Sequence, residues 1–146
     1  MDDTADPSTA GQGGPVIVVV DVANVMGSRP DGWWRDRAGA ATRLLAAMPG
    51  LVTRTVRAPD DEASVRIERI VAVVEGAAKQ VEAPEGVEVI RAPRDGDSAI
   101  VSLVEGLPGE GEARVLVVTA DRGLRARLPL GVAVAGPGWL NRLLGQ

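Results

Sequence analysis

Three of the most apolar runs in this chain end on a carboxylate: "PVIVVVD" at Asp21, "IVAVVE" at Glu75 and "RVLVVTAD" at Asp121. Short β-branched runs of this kind predict strands buried on both faces. Such strands need helices over both sides, and the segments between the runs carry helical spacing. The combination predicts an α/β fold: a compact single domain with a mainly parallel central sheet flanked by helices. In sheets of that type, ligands bind beyond the carboxyl ends of the strands. The acids fall where such a fold places its sites.

The remaining elements follow from pattern. In "DGWWRDRAGAATRLLAAMPG", residues Trp34, Ala38, Ala41, Leu45 and Met48 recur at spacings of three and four. This predicts one amphipathic helix with Trp34 on its core face, stopped by Pro49 and Gly50. "LVTRTVRA" and "SVRIERI" alternate apolar and polar residues around "PDDEA", predicting an inserted β-hairpin at about 52–70 whose second arm runs on into "IVAVVEG". "VEVIRA" predicts a further core strand, and "SAIVSLVEGLPG" a helix with Ile100, Val101, Val104 and Leu107 on one face. After the run ending at Asp121 come a short helix "RGLRARL", a last strand "GVAVAG" and a closing helical turn "GWLNRLL". Residues 1–14, acidic and without periodicity, read as a flexible tail before a domain spanning 15–146.

Composition narrows the chemistry. The chain has no Cys and no His, which removes thiol nucleophiles, zinc–thiolate sites and imidazole bases or ligands. Carboxylates, hydroxyls, arginines, Lys79 or a hard metal ion must carry any catalysis. No apolar run is long enough to span a bilayer, and the N-terminus lacks the basic and apolar regions of a secretion signal. The expectation is a cytoplasmic protein without a membrane partner. Net charge is −4, but Asp2, Asp3 and Asp6 sit in the tail; the rest sets 17 acids against 16 bases. Lys79 is the single lysine, and arginine suits bidentate phosphate contacts better than lysine does.

Asp95 and Asp97 follow "VEVIRAPR" and open a helix, so a parallel sheet brings them toward Asp21, Glu75 and Asp121. Two carboxylates about 4 Å apart repel by roughly 4 kcal/mol at an effective dielectric of 20. A divalent cation resolves that repulsion, and an all-oxygen donor set selects Mg²⁺ or Mn²⁺. The alternative for Asp97 and Asp121 is helix capping, for Glu75 a solvated turn, and for Asp21 a bracing of its own turn.

"VVVDVANVM", "VVEG", "RDGDSAIVSLV" and "VLVVTADRGLRARL" resemble, in order and spacing, the motifs of the NYN and wider PIN-like nuclease superfamily. The resemblance spans about residues 15–140, with the strand-one D-x-x-N and the T-x-D-x-x-L after the fourth core strand as its most specific parts. It implies a metal-dependent ribonuclease in which Asp21, Asp97 and Asp121 are catalytic and bind the principal Mg²⁺ or Mn²⁺. Glu75 or Asp95 would assist a second ion. Ser98 stands where many relatives have a second acid, so that metal position is either weaker here or taken over by Asp95. Asn24 and Ser98 are candidates to orient water or phosphate, and Thr119 to brace the acids. Substrate contacts are expected from Arg29, Trp33, Arg35 and Arg37 after the first strand, and from Arg94, Arg122 and Arg125 beside the acids. The helical pattern sends Trp34 inward and leaves Trp33 to stack on a base. The expected partner is single-stranded RNA, with a homodimer open. Two rivals remain: a metal-dependent nucleotide pyrophosphohydrolase, and a non-catalytic RNA- or protein-binding module on the same fold.

Overall fold

The computed structural model describes residues 12–29, 32–60, 63–107 and 113–145. Strand β1 (Gln12–Asp21) lies at the centre of a six-stranded sheet. It runs parallel to β3 (Ser64–Val74) on one side and to β5 (Arg114–Val118) on the other. Beyond β5, β6 (Ala133–Ala135) adds in parallel. The far side of β3 is shared: its first residues pair antiparallel with β2 (Thr55–Arg57), and its last residues pair parallel with β4 (Glu88–Arg91). The order is thus β2-β3-β1-β5-β6, with β4 beside the upper half of β3. Chain connections leave β1 toward β3 and β4, then return across it to β5 and β6. That reversal puts the topological switch point, where sheets of this type bind ligands, at the carboxyl end of β1.

Side-chain alternation on the central strands builds two cores. Val16, Val18 and Val20 of β1 join Ile70, Ala72 and Val74 of β3 under α1 (Val22–Gly27), α2 (Arg37–Ala46) and α5 (Pro137–Leu143). Ile17 and Val19, with Val71 and Val73, face α3 (Gly96–Glu105) and α4 (Arg122–Arg127) through Ile100, Val104 and Leu124. Each such valine or leucine stabilises the fold by about 1.5–3 kcal/mol when fully buried. Both faces of β1 are therefore closed over residues 16–20, and its carboxyl end carries Asp21 to the edge of the sheet. Among the described residues no helix is long and apolar enough to cross a membrane.

The structure bears out the α/β architecture and the hairpin, whose paired part is short: Thr55 opposite Arg66 through Arg57 opposite Ser64. Three details differ from the sequence reading. First, β1 takes in Gln12, Gly13 and Gly14, which had been assigned to the tail; residues 1–11 lie outside the described residues. Second, β4 is an edge strand rather than a core strand, with Ile90 37% exposed. Its fixed point is a bidentate contact, Arg69 donating to both Glu88 oxygens at 2.7 Å. Third, the long helix breaks at Asp36, which takes a non-helical conformation and accepts from the Gly39 N–H at 3.0 Å as the N-cap of α2. Trp33–Arg35 form a separate 3₁₀ turn, so the helical phase does not reach Trp34. Trp33 packs against the core, while Trp34 is 58% exposed.

Candidate functional site

Every functional acid predicted from the sequence sits at the carboxyl edge of the sheet or at the start of the helix that follows. Asp21 ends β1 and caps α1, its Oδ1 accepting from the Asn24 N–H at 3.3 Å. Asp121 follows β5 and caps α4 through the Leu124 N–H at 3.0 Å. Glu75 follows β3, and its Oε2 accepts from the Gly96 N–H at 2.9 Å. A Cβ on Gly96 would lie 3.3 Å from Oε1 of Glu75, so glycine is what lets the start of α3 approach this carboxylate closely. Asp95 caps α3, with both oxygens occupied by the Ser98 N–H (2.8 Å) and hydroxyl (3.3 Å). Asp97 therefore does not cap; it stands one residue inside the helix, half-buried, with no hydrogen bond to either oxygen among the described residues.

A polar network ties the ends of β1 and β5 together. Thr119, fully buried, donates its hydroxyl to Asp21 Oδ2 at 2.8 Å and accepts from the Asp121 N–H at 3.1 Å. Asn24 Oδ1 accepts from the Ala120 N–H at 2.7 Å. Both neighbouring strand ends are thereby fixed relative to each other before any ligand arrives. The expected bracing by Thr119 is present. Asn24 spends its carbonyl on the loop and keeps only its amide N–H groups for anything else.

The electrostatics follow from this crowding. Burial pushes the Asp21 carboxyl above its usual range; the Thr119 and Asn24 bonds pull the other way, and the Asp97 and Glu75 charges add to the rise. Asp97 is also raised, by burial first and then by Asp121, Asp95 and Glu75, with Arg127 opposing. Asp95 is held below its usual range by the Ser98 N–H and hydroxyl. Among the described residues no ion pair joins Asp21, Glu75, Asp97 or Asp121 to an arginine.

The carboxylates feel one another, yet among the described residues no three of them close around a common point. Mg²⁺ is ordinarily bound through one or two carboxylates while keeping several waters. Oxygens without a protein donor remain on Asp97, on Asp121 (Oδ2) and on Glu75 (Oε1). This donor set, all oxygen and mutually repelling, fits that open mode of binding and not a closed protein cage.

The arginines fall into two groups. Arg125 donates to the Thr119 carbonyl at 3.1 Å, and Arg127 reaches Ser98 Oγ at 3.4 Å across the acid edge. Arg127 was missed in the sequence, where nothing local marks it apart from its neighbours. Arg94 and Arg122 are exposed beside the acids. Arg35 and Arg37 lie with the tryptophans: Arg37 sits 5.4 Å over Trp33, and Arg35 5.8 Å over Trp34. Among the described residues, Nε of the half-buried Arg29 and Oδ1 of Asn141 have no hydrogen-bond partner, and the Asn141 amide donates to Ser28 Oγ at 3.1 Å.

No protein-family model and no curated protein matches the chain. Among solved structures, it is similar to the crystal structure of Rae1 (YacP) from Bacillus subtilis, in its W164L mutant form. The two are 18% identical, with a TM-score of 0.62 over 89% of this chain and 75% of that one. At that identity the likeness is one of architecture: this chain shares with Rae1 an α/β domain built on a mostly parallel sheet, consistent with a PIN-like/NYN fold.

Proposed function

We propose that the protein is a divalent-metal-dependent ribonuclease that hydrolyses phosphodiester bonds of single-stranded RNA. One observation carries the reading. Acids from β1, β3, α3 and the end of β5 share one edge of the sheet, burial and the neighbouring charges raise the proton affinity of Asp21 and Asp97, and among the described residues no arginine is paired with them. Such a concentration of negative charge is destabilising unless it serves to hold a cation. Asp97, Asp121 and Glu75 have oxygens available for Mg²⁺ or Mn²⁺, and Asp21 anchors the set from its buried position. A bound ion of this kind supplies water activation and neutralisation of phosphate oxygens.

The protein's own contribution is positional. Thr119 and Asn24 hold the β1 and β5 ends rigid, so that Asp21 and Asp121 keep their places. Asp95 accepts from the Ser98 N–H and hydroxyl, which makes it the cap of α3 and a source of field at Asp97. Arg127 and Arg122 stand at the edge where a phosphate must approach. The NYN-like motifs in the sequence and the fold shared with Rae1 agree with RNA as the substrate class.

The test is cleavage of an unstructured oligoribonucleotide with Mn²⁺ or Mg²⁺, with EDTA, and with Asp21→Asn and Asp97→Asn. We expect loss of at least about a hundredfold in each variant, the scale of removing a group that stabilises developing charge. Cleavage indifferent to EDTA and to both substitutions contradicts the proposal. Because among the described residues no three carboxylates are gathered in advance, a non-catalytic RNA-binding module is the second reading; chelator-insensitive RNA binding without cleavage is its signature.

A further inference from the structure

The 3₁₀ turn at Trp33–Arg35 presents the chain's aromatic residues in an unexpected way. The protein has three tryptophans and no phenylalanine or tyrosine. Trp139 is buried, its indole N–H donating to the Arg57 carbonyl at 2.9 Å. Trp33 packs on the core, where its Cζ2 lies 3.9 Å from the position of a Cβ on Gly27, at the last residue of α1. Trp34 alone of the three stays mostly in solvent.

The exposed ring is held, not loose. Trp33 meets it edge-to-face at 6.0 Å between ring centroids and an interplanar angle of 90°. The Arg35 guanidinium lies over it at 5.8 Å. Gly32, with φ of +73°, sets the sharp entry to the turn, and the Asp36 cap fixes its exit. Arg37 lies 5.4 Å over the neighbouring Trp33 ring, adding a second guanidinium to this turn, while the nearby Asp36 carboxylate caps the α2 terminus. An anchored, accessible indole with guanidinium groups beside it is the chemistry that takes an unpaired nucleobase and the phosphate it carries. Base-paired RNA hides its base faces in the stack, so such a platform selects single strands.

Position supports this. Trp33 abuts the end of α1, and Asp21 caps its start; six helical residues span about 9 Å. The platform is therefore within a few nucleotides of the acids along an extended strand. We propose that Trp34, with Arg35, is a stacking site for a single-stranded RNA base flanking the cleaved bond. The inference rests on the ribonuclease reading above.

The test uses the full chain in EDTA, with a short unstructured oligoribonucleotide and a blunt RNA duplex as probes. Affinity is read by anisotropy of a labelled oligonucleotide, and stacking by quenching of tryptophan emission. Trp34→Ala is expected to weaken single-strand binding roughly ten- to a hundredfold, to leave duplex binding within about twofold, and to abolish the quenching. Trp34→Phe should recover part of the affinity. Unchanged single-strand affinity in Trp34→Ala, equal losses for duplex and single strand, or no quenching in the wild type overturns the stacking site. Metal-dependent cleavage persisting alongside any of these results leaves the ribonuclease reading standing. Failure of the wild type to bind or cleave RNA at all removes both.

Discussion

Thr119→Val isolates the one hydroxyl that joins the two central acids. Valine keeps the shape of threonine, so no cavity forms and the change reports on hydrogen bonding. Two bonds disappear: donation to Asp21 Oδ2 at 2.8 Å, and acceptance from the Asp121 N–H at 3.1 Å. Thr119 is fully buried and Asp21 only 5% exposed, so water cannot replace what is lost. A bond to a charged group contributes about 1.5–3 kcal/mol and a neutral one about 0.5–1.5, giving an expected cost of about 2–4.5 kcal/mol. For a chain of this size that lowers Tm by about 8–16 °C. Urea unfolding at neutral pH in EDTA measures it, on the single variant and in a cycle with Asp21→Asn. The cycle should show a coupling of about 1–2 kcal/mol, because the charge-assisted part of the bond is already absent in the asparagine variant. A cost below about 0.5 kcal/mol, or simple additivity, refutes the network.

The pH dependence has a definite sign. Asp21 and Asp97 are raised above their ordinary 3.8, so the folded chain binds more protons than the unfolded chain above that value. Stability of the metal-free protein must then rise as pH falls from neutral toward those raised values. Asp95 and Glu88 are lowered, Glu88 chiefly by its bond from Arg69; their contributions are present at neutral pH and are lost as pH falls through their depressed values. Thermal melts in EDTA across this range should pass through a mildly acidic maximum, and Asp97→Asn should flatten the rise. Gly96→Ala should shift Glu75 by a few tenths of an ångström and weaken Mn²⁺ binding, while a helix-propensity gain of up to about 1 kcal/mol offsets the strain in stability, as calorimetry and melts will show. Asn24→Ala hands the exposed Ala120 N–H to water and should cost about 0.5–1.5 kcal/mol in urea unfolding.

Strand ends were legible because they depend on short-range pattern. Asp21, Glu75 and Asp121 each close an apolar run, and their gathering follows once the sheet is parallel. The stacking tryptophan was not legible, because one residue reset the phase: Asp36 fits a continuous helix by spacing and a cap by chemistry, and the cap prevails. The choice between Asp95 and Asp97 as cap was likewise hidden in "DGDS", where either acid precedes a helix. The close fit of Gly96 against Glu75, from another strand, accompanies a helix that begins there and leaves Asp97 inside it. Edge status of β4 depends on sheet order, not on its own residues. Contacts such as Arg127 with Ser98 and Asn141 with Ser28 join distant parts of the chain and leave no local trace.

The most direct measurement is a crystal soaked in Mn²⁺ and examined by anomalous scattering at the sheet edge. The account predicts an ion among the side chains of Asp21, Glu75, Asp97 and Asp121, with water completing its shell, and no ion in an Asp97→Asn crystal treated alike. Absence of ordered Mn²⁺ there at millimolar concentration, with the four carboxylates unmoved, contradicts it.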